Sequence, residues 1–112
     1  MLFIDTDDNI TLTRGDTATL DVSITNSDGT PYTMTGSDKI LFSIKRIYTQ
    51  PDVLVEKESA TPSISLSSAD TDSLAFGVYH YDIVLFHDDK VDTIIADKTF
   101  VVGNEVHNLG GD

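Results

Sequence analysis

The chain contains no cysteine and no tryptophan. Without cysteine there is no disulfide framework, no thiolate nucleophile and no cysteine-held zinc. Without either residue there is no antibody-type domain, which packs a buried tryptophan against an intersheet disulfide. Basic residues are scarce: 7 Lys and Arg stand against 19 Asp and Glu, a formal net charge of −12. A field of that sign repels phosphate backbones and anionic lipid, so neither nucleic acid nor a membrane is expected as a partner. No run approaches the ~18 apolar residues of a membrane-spanning helix. The opening Met1-Leu2-Phe3-Ile4-Asp5 lacks the basic region and long apolar stretch of a signal peptide, and none is expected.

What remains is globular in composition. The 112 residues are 39% hydrophobic and 23% charged, with 5 Phe and 4 Tyr. That length supports one domain with one core. The domain is expected over residues 1–102. The tail over 103–112 is polar and Gly-rich, and is expected to be mobile or docked on a partner.

Alternation with a period of two runs through most of the chain. Over 18–25, Ala18, Leu20, Val22 and Ile24 point one way and Thr19, Asp21, Ser23 and Thr25 the other, the pattern of a half-buried antiparallel strand. Ile10 and Leu12 are the inner pair of a shorter strand over 9–13. Arg14-Gly15-Asp16 turns the chain between the two, with Gly15 at the tight position. Asn26-Ser27-Asp28-Gly29-Thr30-Pro31 is a second turn cluster, built around Gly29.

Strands are expected over 39–47, with Ile40, Phe42 and Ile44 inward, and over 53–58, with Val53 and Val55 inward. A further strand is expected over 63–66. Ser68 is expected to cap a single helical turn, which acidic residues would favour. A strong strand follows over 78–86, with Tyr79, Tyr81, Ile83 and Leu85 on one face. His87-Asp88-Asp89-Lys90 reads as a hairpin turn into 91–96, and a kink at Asp97-Lys98 precedes a last strand over 99–102. About seven strands and one short helical turn define an all-β chain. The expected architecture is an antiparallel, immunoglobulin-like β-sandwich. Gly77-Val78-Tyr79 fits the corner at which such sandwiches tie a tyrosine hydroxyl to the preceding loop.

The chemistry-bearing residues read mainly as architecture. His80, His87 and His107 have no nucleophile at triad spacing, and no nucleophile-elbow motif occurs, so no catalytic residue is assigned. The acidic groups Asp5/Asp7/Asp8, Asp70/Asp72 and Asp88/Asp89 read as solvated turn formers. Asp5, Asp7, Asn9 and Asp16 match parts of a calcium loop. Ile10, however, stands where that loop needs glycine, and the closing glutamate is missing. No metal or cofactor is therefore expected. Arg14-Gly15-Asp16 spells an integrin-recognition tripeptide and Asn9-Ile10-Thr11 a glycosylation acceptor. With no secretion signal, the first reads as a turn and the second as chance.

Leu41, Ile47, Leu54, Val84 and Phe86 are apolar at positions whose alternation points outward. Contiguous apolar patches on soluble monomers usually mark contact surfaces. Leu41, Ile47, Val84 and Phe86 are the candidate interface. The alternative is a carbohydrate-binding or adhesive module displaying Tyr32, Tyr48 and Phe76 near turns.

Four segments, taken in order, carry a family resemblance. They are Asp8-Asn9-Ile10-Thr11-Leu12-Thr13-Arg14-Gly15-Asp16-Thr17, Asp28-Gly29-Thr30-Pro31-Tyr32 through Thr35-Gly36, Ile40-Leu41-Phe42-Ser43-Ile44-Lys45, and Gly77-Val78-Tyr79-His80-Tyr81-Asp82-Ile83 with Thr99-Phe100-Val101-Val102. This order resembles small tail-associated β-sandwich proteins of bacteriophages and prophages of Gram-positive bacteria. It is also similar to the N-terminal domain of the phage baseplate upper protein family. The resemblance spans roughly residues 8–102 and lacks that family's downstream helical, trimerising parts. It implies a non-enzymatic structural role in the virion, in a tail or baseplate assembled in the host cytoplasm. The implied partners are other virion proteins or further copies of the chain itself.

Overall fold

The computed structural model describes residues 2–4, 7–47, 49 and 51–103. Tyr48 and residues 104–112, and with them His107 and nearly all of the expected tail, lie outside the described residues. So does Asp5.

The described chain is mostly β, with eight strands and one short helix. They are β1 (Leu2–Ile4), β2 (Ile10–Thr13), β3 (Ala18–Asp21), β4 (Lys39–Lys45), β5 (Val53–Ser59), β6 (Ser63–Leu66), α1 (Ser68–Asp72), β7 (Gly77–His87) and β8 (Lys90–Gly103). Six strands form one sheet in the order β1-β2-β8-β7-β4-β5, and β3 with β6 forms a second, two-stranded sheet. All pairings but one are antiparallel. The exception is β2 on β8, where Ile10, Thr11 and Leu12 run parallel to Phe100, Val101 and Val102. The expectation of purely antiparallel sheets fails there. The strand that follows β2 crosses to the other sheet, so β2 has no hairpin partner beyond β1 and takes the free edge of β8 instead.

The core lies between the two sheets. Ile40, Phe42, Ile44, Tyr79, Tyr81, Ile83, Leu85, Phe100 and Val102 of the large sheet are buried with Leu20, Ile64 and Leu66 of the small one. Three rings form its centre. Phe42 lies 5.5 Å from Tyr81 and 6.1 Å from Phe100, and Tyr81 lies 6.3 Å from Phe100, centroid to centroid. These tilted and edge-on geometries are the favourable ones for aromatic pairs. The Tyr81 hydroxyl leaves the apolar centre by donating to the Asp8 carbonyl.

Several local expectations are revised. The strand over 18–25 pairs only as far as Asp21. Val22 and Ile24 stay buried, and the backbone switches partners: Val22 N–H donates to the Pro62 carbonyl at 2.8 Å, and Tyr32 N–H to the Ile24 carbonyl at 2.9 Å. Ser67, not Ser68, is the helix N-cap, and its N–H donates to Asp70 Oδ2 at 2.6 Å. Val53 is 41% exposed rather than inward, because a bulge at Ile44/Lys45 shifts it opposite the outward Lys45. The two strands expected on either side of Asp97 are one strand. Its pairing with β7 slips on both sides of Ile83, and Asp97 has a φ of 21°. Two extra residues are absorbed as bulges, which bend the strand without ending it.

Three of the turns follow from backbone sign. Gly15 (φ 84°) and Gly29 (φ 89°) occupy left-handed positions that a side chain rarely adopts. In the β7–β8 hairpin both central residues, Asp88 (φ 49°) and Asp89 (φ 61°), are left-handed. That is the I′ turn whose twist matches its strands, here made with aspartates where Asn-Gly is preferred. At the far end of β7, Gly77 has φ 149° and a side chain there would approach Arg46 Nη1 at 3.5 Å. It lets the chain turn so that the Tyr79 hydroxyl reaches back to the Ala75 carbonyl at 2.7 Å.

Two substitutions test these turns. Asp89→Gly is expected to raise stability by about 1 kcal/mol, the left-handed cost removed. Gly77→Ala is expected to lower it by at least about 1 kcal/mol. Urea unfolding should show midpoints moving in opposite directions at constant slope. Coincident curves would contradict the assigned turn conformations.

Candidate functional site

The face of the large sheet turned away from the core has two zones. Toward the β7–β8 hairpin it is apolar. Leu41 stands opposite Val84, Val84 opposite Thr93, and Phe86 opposite Val91. Leu41, Val84 and Phe86 are half-buried by their neighbours, while Val91 is 60% exposed. The rim is charged: Lys39 Nζ lies 5.8 Å from the Phe86 ring centre and 3.2 Å from Glu58. Of the four candidate interface residues, the structure thus brings Leu41, Val84 and Phe86 together. Ile47 is 48% exposed but lies past the end of β4, roughly 20 Å along the chain from Leu41 at the strand rise per residue. Val91 was missed in sequence because it follows a turn and its partner across the hairpin is set by register.

The middle of the same face is polar. His80 Nδ1 and Asp97 Oδ1 are 2.8 Å apart. Burial raises the Asp82 carboxyl above the usual range, and Asp97 adds to this while Lys45 opposes it. The sheet's β5 edge carries Glu56, Lys57 and Glu58. Lys57 points inward to Asp70 of α1 at 2.9 Å, a device that discourages further strands from pairing there.

At the hairpin end, on the core side, a cleft of about 400 Å³ opens between the 24–32 segment and β7–β8. The alternation of β7 carries His87 to this side, and the turn returns Asp92 beside it, with Nε2 to Oδ2 at 2.5 Å. Tyr32 lies across the cleft, its ring 5.9 Å from that of His87, and donates its hydroxyl to Asp38 Oδ2 at 2.5 Å. Among the described residues the hydrogen bond of the His87 ring is to Asp92. The pairing of His87 with Asp92 is legible in sequence only once the hairpin register is known.

The remaining candidates are committed to the fold. Gly15 N–H donates to the buried Thr71 Oγ1 at 3.0 Å, which pins the Arg-Gly-Asp turn to α1. Arg14 packs over the Phe76 ring, Cζ 4.6 Å from its centre, instead of standing at a loop tip. Its Nε is buried without a hydrogen-bond partner among the described residues. The Asn9 side-chain oxygen accepts from Thr99 N–H and Oγ1 at 3.1 and 3.0 Å. Among the described residues no three His, Asp or Glu side chains are grouped to hold an ion. Of the aromatic residues read as displayed, Tyr32 lines the cleft and Phe76 is 46% exposed under Arg14. No helix among the described residues is long and apolar enough to cross a membrane.

Comparison with known protein families, with characterised proteins and with solved structures found no match.

The Tyr32–Asp38 bond sets a pH test. Donation to Asp38, burial and the nearby charges of Asp38, Asp88 and Asp92 push the Tyr32 hydroxyl up to about 12. The same bond, with the Thr35 N–H and the His87 charge, holds Asp38 below the ordinary 3.8. The raised tyrosine contributes stability that is complete below its ordinary value of 10.0 and lost as pH climbs to about 12. The depressed aspartate contributes stability above 3.8 that is lost as pH falls through its lowered value. Near-ultraviolet phenolate absorbance should therefore contain a late step that belongs to Tyr32. Asp38→Asn should return it toward the ordinary range near ~10. Superimposable titrations of the two proteins would sink this pair.

Proposed function

We propose that this chain is a structural component of a phage or prophage particle, in its tail or baseplate, with no chemistry of its own. It works by burying the outer face of its large sheet against neighbouring virion proteins. The observation that carries the reading is the half-exposed strip of Leu41, Val84 and Phe86, continued by Val91 and bordered by Lys39 and Glu58. An apolar centre with a charged rim is the anatomy of a protein–protein contact. The resemblance of the four sequence segments to tail-associated β-sandwich proteins supplies the class of particle.

The finer reading of the fold belongs to the same proposal. The order β8-β7-β4-β5 corresponds to strands G-F-C-C′ of a variable-type immunoglobulin sheet, and β3-β6 to B and E. Tyr79 with Ala75 takes the place of the tyrosine corner. Phe42 on the C-like strand and Tyr81, two residues past the corner, take the places of the core tryptophan and the second cysteine.

A second reading rests on the cleft. An aromatic ring beside carboxylates, as Tyr32 lies beside Asp38 and Asp92, is a surface on which a sugar can stack and hydrogen-bond. Specific glycan-array binding that disappears in Tyr32→Ala would favour it over the structural role.

Mass spectrometry of purified particles from a bacterium carrying this gene tests the first reading. The protein is expected at a stoichiometry comparable to other tail proteins. Leu41→Asp combined with Phe86→Asp should remain folded by circular dichroism, yet enter particles at least ~30-fold less, the effect of losing a ~2 kcal/mol hot spot. Particles that lack the wild-type protein, or that accept the variant equally, would overturn the reading.

A further inference from the structure

A second surface lies at the opposite end of the large sheet. Ile47, Val53, Leu54, Phe76 and Val78 are each 41% exposed or more. Lys45 stands opposite both Val53 and His80, so the end of β4, the start of β5 and the start of β7 meet there. Ile47 and Val78 lie two residues beyond that row, and Phe76 directly precedes Gly77.

Both arginines of the chain are at this end. Arg14 Cζ is 4.6 Å from the Phe76 ring centre, and Arg46 Cζ is 5.0 Å from that of Tyr79. Neither forms an ion pair among the described residues, although the chain has 19 carboxylate side chains against 7 basic ones. Stacking on rings holds the two guanidiniums in place; Arg14 Nε is buried, whereas the exposed Arg46 keeps its donors for carboxylates from outside. Aromatic residues and arginine beside exposed aliphatic groups are the composition of contact hot spots.

The hairpin end, one length of β7 away, is complementary. Asp88 and Asp89 are exposed at its tip, in no ion pair among the described residues, beside Val91 at 60% exposure. The 11 residues of β7 separate the two ends by roughly 35 Å.

We propose that the partner of the arginine end is a second copy of this chain, whose Asp88–Asp89 hairpin docks against Arg14, Arg46 and Phe76. The two contact surfaces differ, so the association is head-to-tail and each added copy presents a fresh end. This rests on the reading of the chain as an assembly component, but it uses its ends rather than the sheet face. Every copy carries −12, so approach is opposed at low salt. Near 0.15 M salt, screening over about 8 Å removes that repulsion while contact pairs persist. At 1 M the screening length falls to about 3 Å and the pairs weaken too. Association therefore peaks at intermediate salt.

Sedimentation velocity of the full chain between about 10 μM and about 1 mM, a range that covers weak association, tests this. The average mass is expected to rise continuously with concentration, without stopping at a dimer. Arg14→Gln with Arg46→Gln, and separately Asp88→Asn with Asp89→Asn, should each weaken it at least about tenfold. Asparagine accepts the left-handed hairpin positions. If the double arginine variant loses its fold, Arg46→Gln alone serves. A mixture of the two variants should give a one-to-one dimer and nothing larger, because each retains one competent end. A monomer at every concentration, or association that neither variant changes, overturns the end-to-end contact. The sheet-face reading is judged separately by the incorporation of the Leu41/Phe86 variant into particles.

Discussion

The packing of Phe42, Tyr81 and Phe100 holds the remaining features in place. These rings belong to β4, β7 and β8, three adjacent inner strands of the large sheet, and they are buried with the residues of the small sheet. A ring in the interior contributes both its large apolar area and the geometry of its pair contacts. Because all three point inward, the alternation of each strand is fixed about them. Leu41, Val84 and Phe86 must then face out, and His87 must face the cleft. The Tyr81 hydroxyl extends the constraint to the Asp8 carbonyl, and so to the chain entering β2. A one-residue slip of β7 would turn this arrangement inside out.

The distribution of charge follows from that frame. The core side of the large sheet is apolar along most of its length and turns polar toward its margins, at His87 and Asp92 by the cleft and at Lys57 on the β5 edge. On the outer face the middle is polar and the hairpin end apolar. Carboxylates are spread over the turns, where they hydrogen-bond backbone and neighbouring side chains, as Asp28 does with Thr30 and Asp70 with Ser67. Burial alone would raise Asp70, but Lys57 and the Ser67 backbone hold it low, so the pair fastens α1 to the β5 edge. The two arginines stack on rings and form no ion pair among the described residues.

Much of the fold was legible where a single strand carries its own signal. Residues 18–24 alternate in the structure as they do in the sequence, even where ladder pairing has ended. Ile40, Phe42 and Ile44 are buried as their period requires, and Gly15, Gly29 and Gly77 sit at positive φ. Val53 was misread because a bulge in a pairing invisible to local pattern reversed its side. The β8 kink was read as a break for a similar reason: Asp97 looks like a turn residue, but ten cross-strand partners along β7 hold it inside one strand. The candidate face was legible in part. Leu41, Val84 and Phe86 each stand out as apolar at outward positions, whereas Ile47 shares their alternation but lies two residues past the end of β4.

The amino-acid order by itself determined which residues are apolar, with what period, and where the chain can bend. That is enough for an all-β domain, for most of its core and for the absence of cysteine chemistry, because alternation and turn propensity are properties of neighbours in the chain. Only the tertiary structure decided which strands lie side by side. It made β2 parallel to β8, set Asp92 against His87, and gathered Ile47, Phe76 and the two arginines at one end. Those contacts join residues far apart in sequence or straddling a turn. Their energy comes from surfaces that exist only after the two sheets have closed over a shared core.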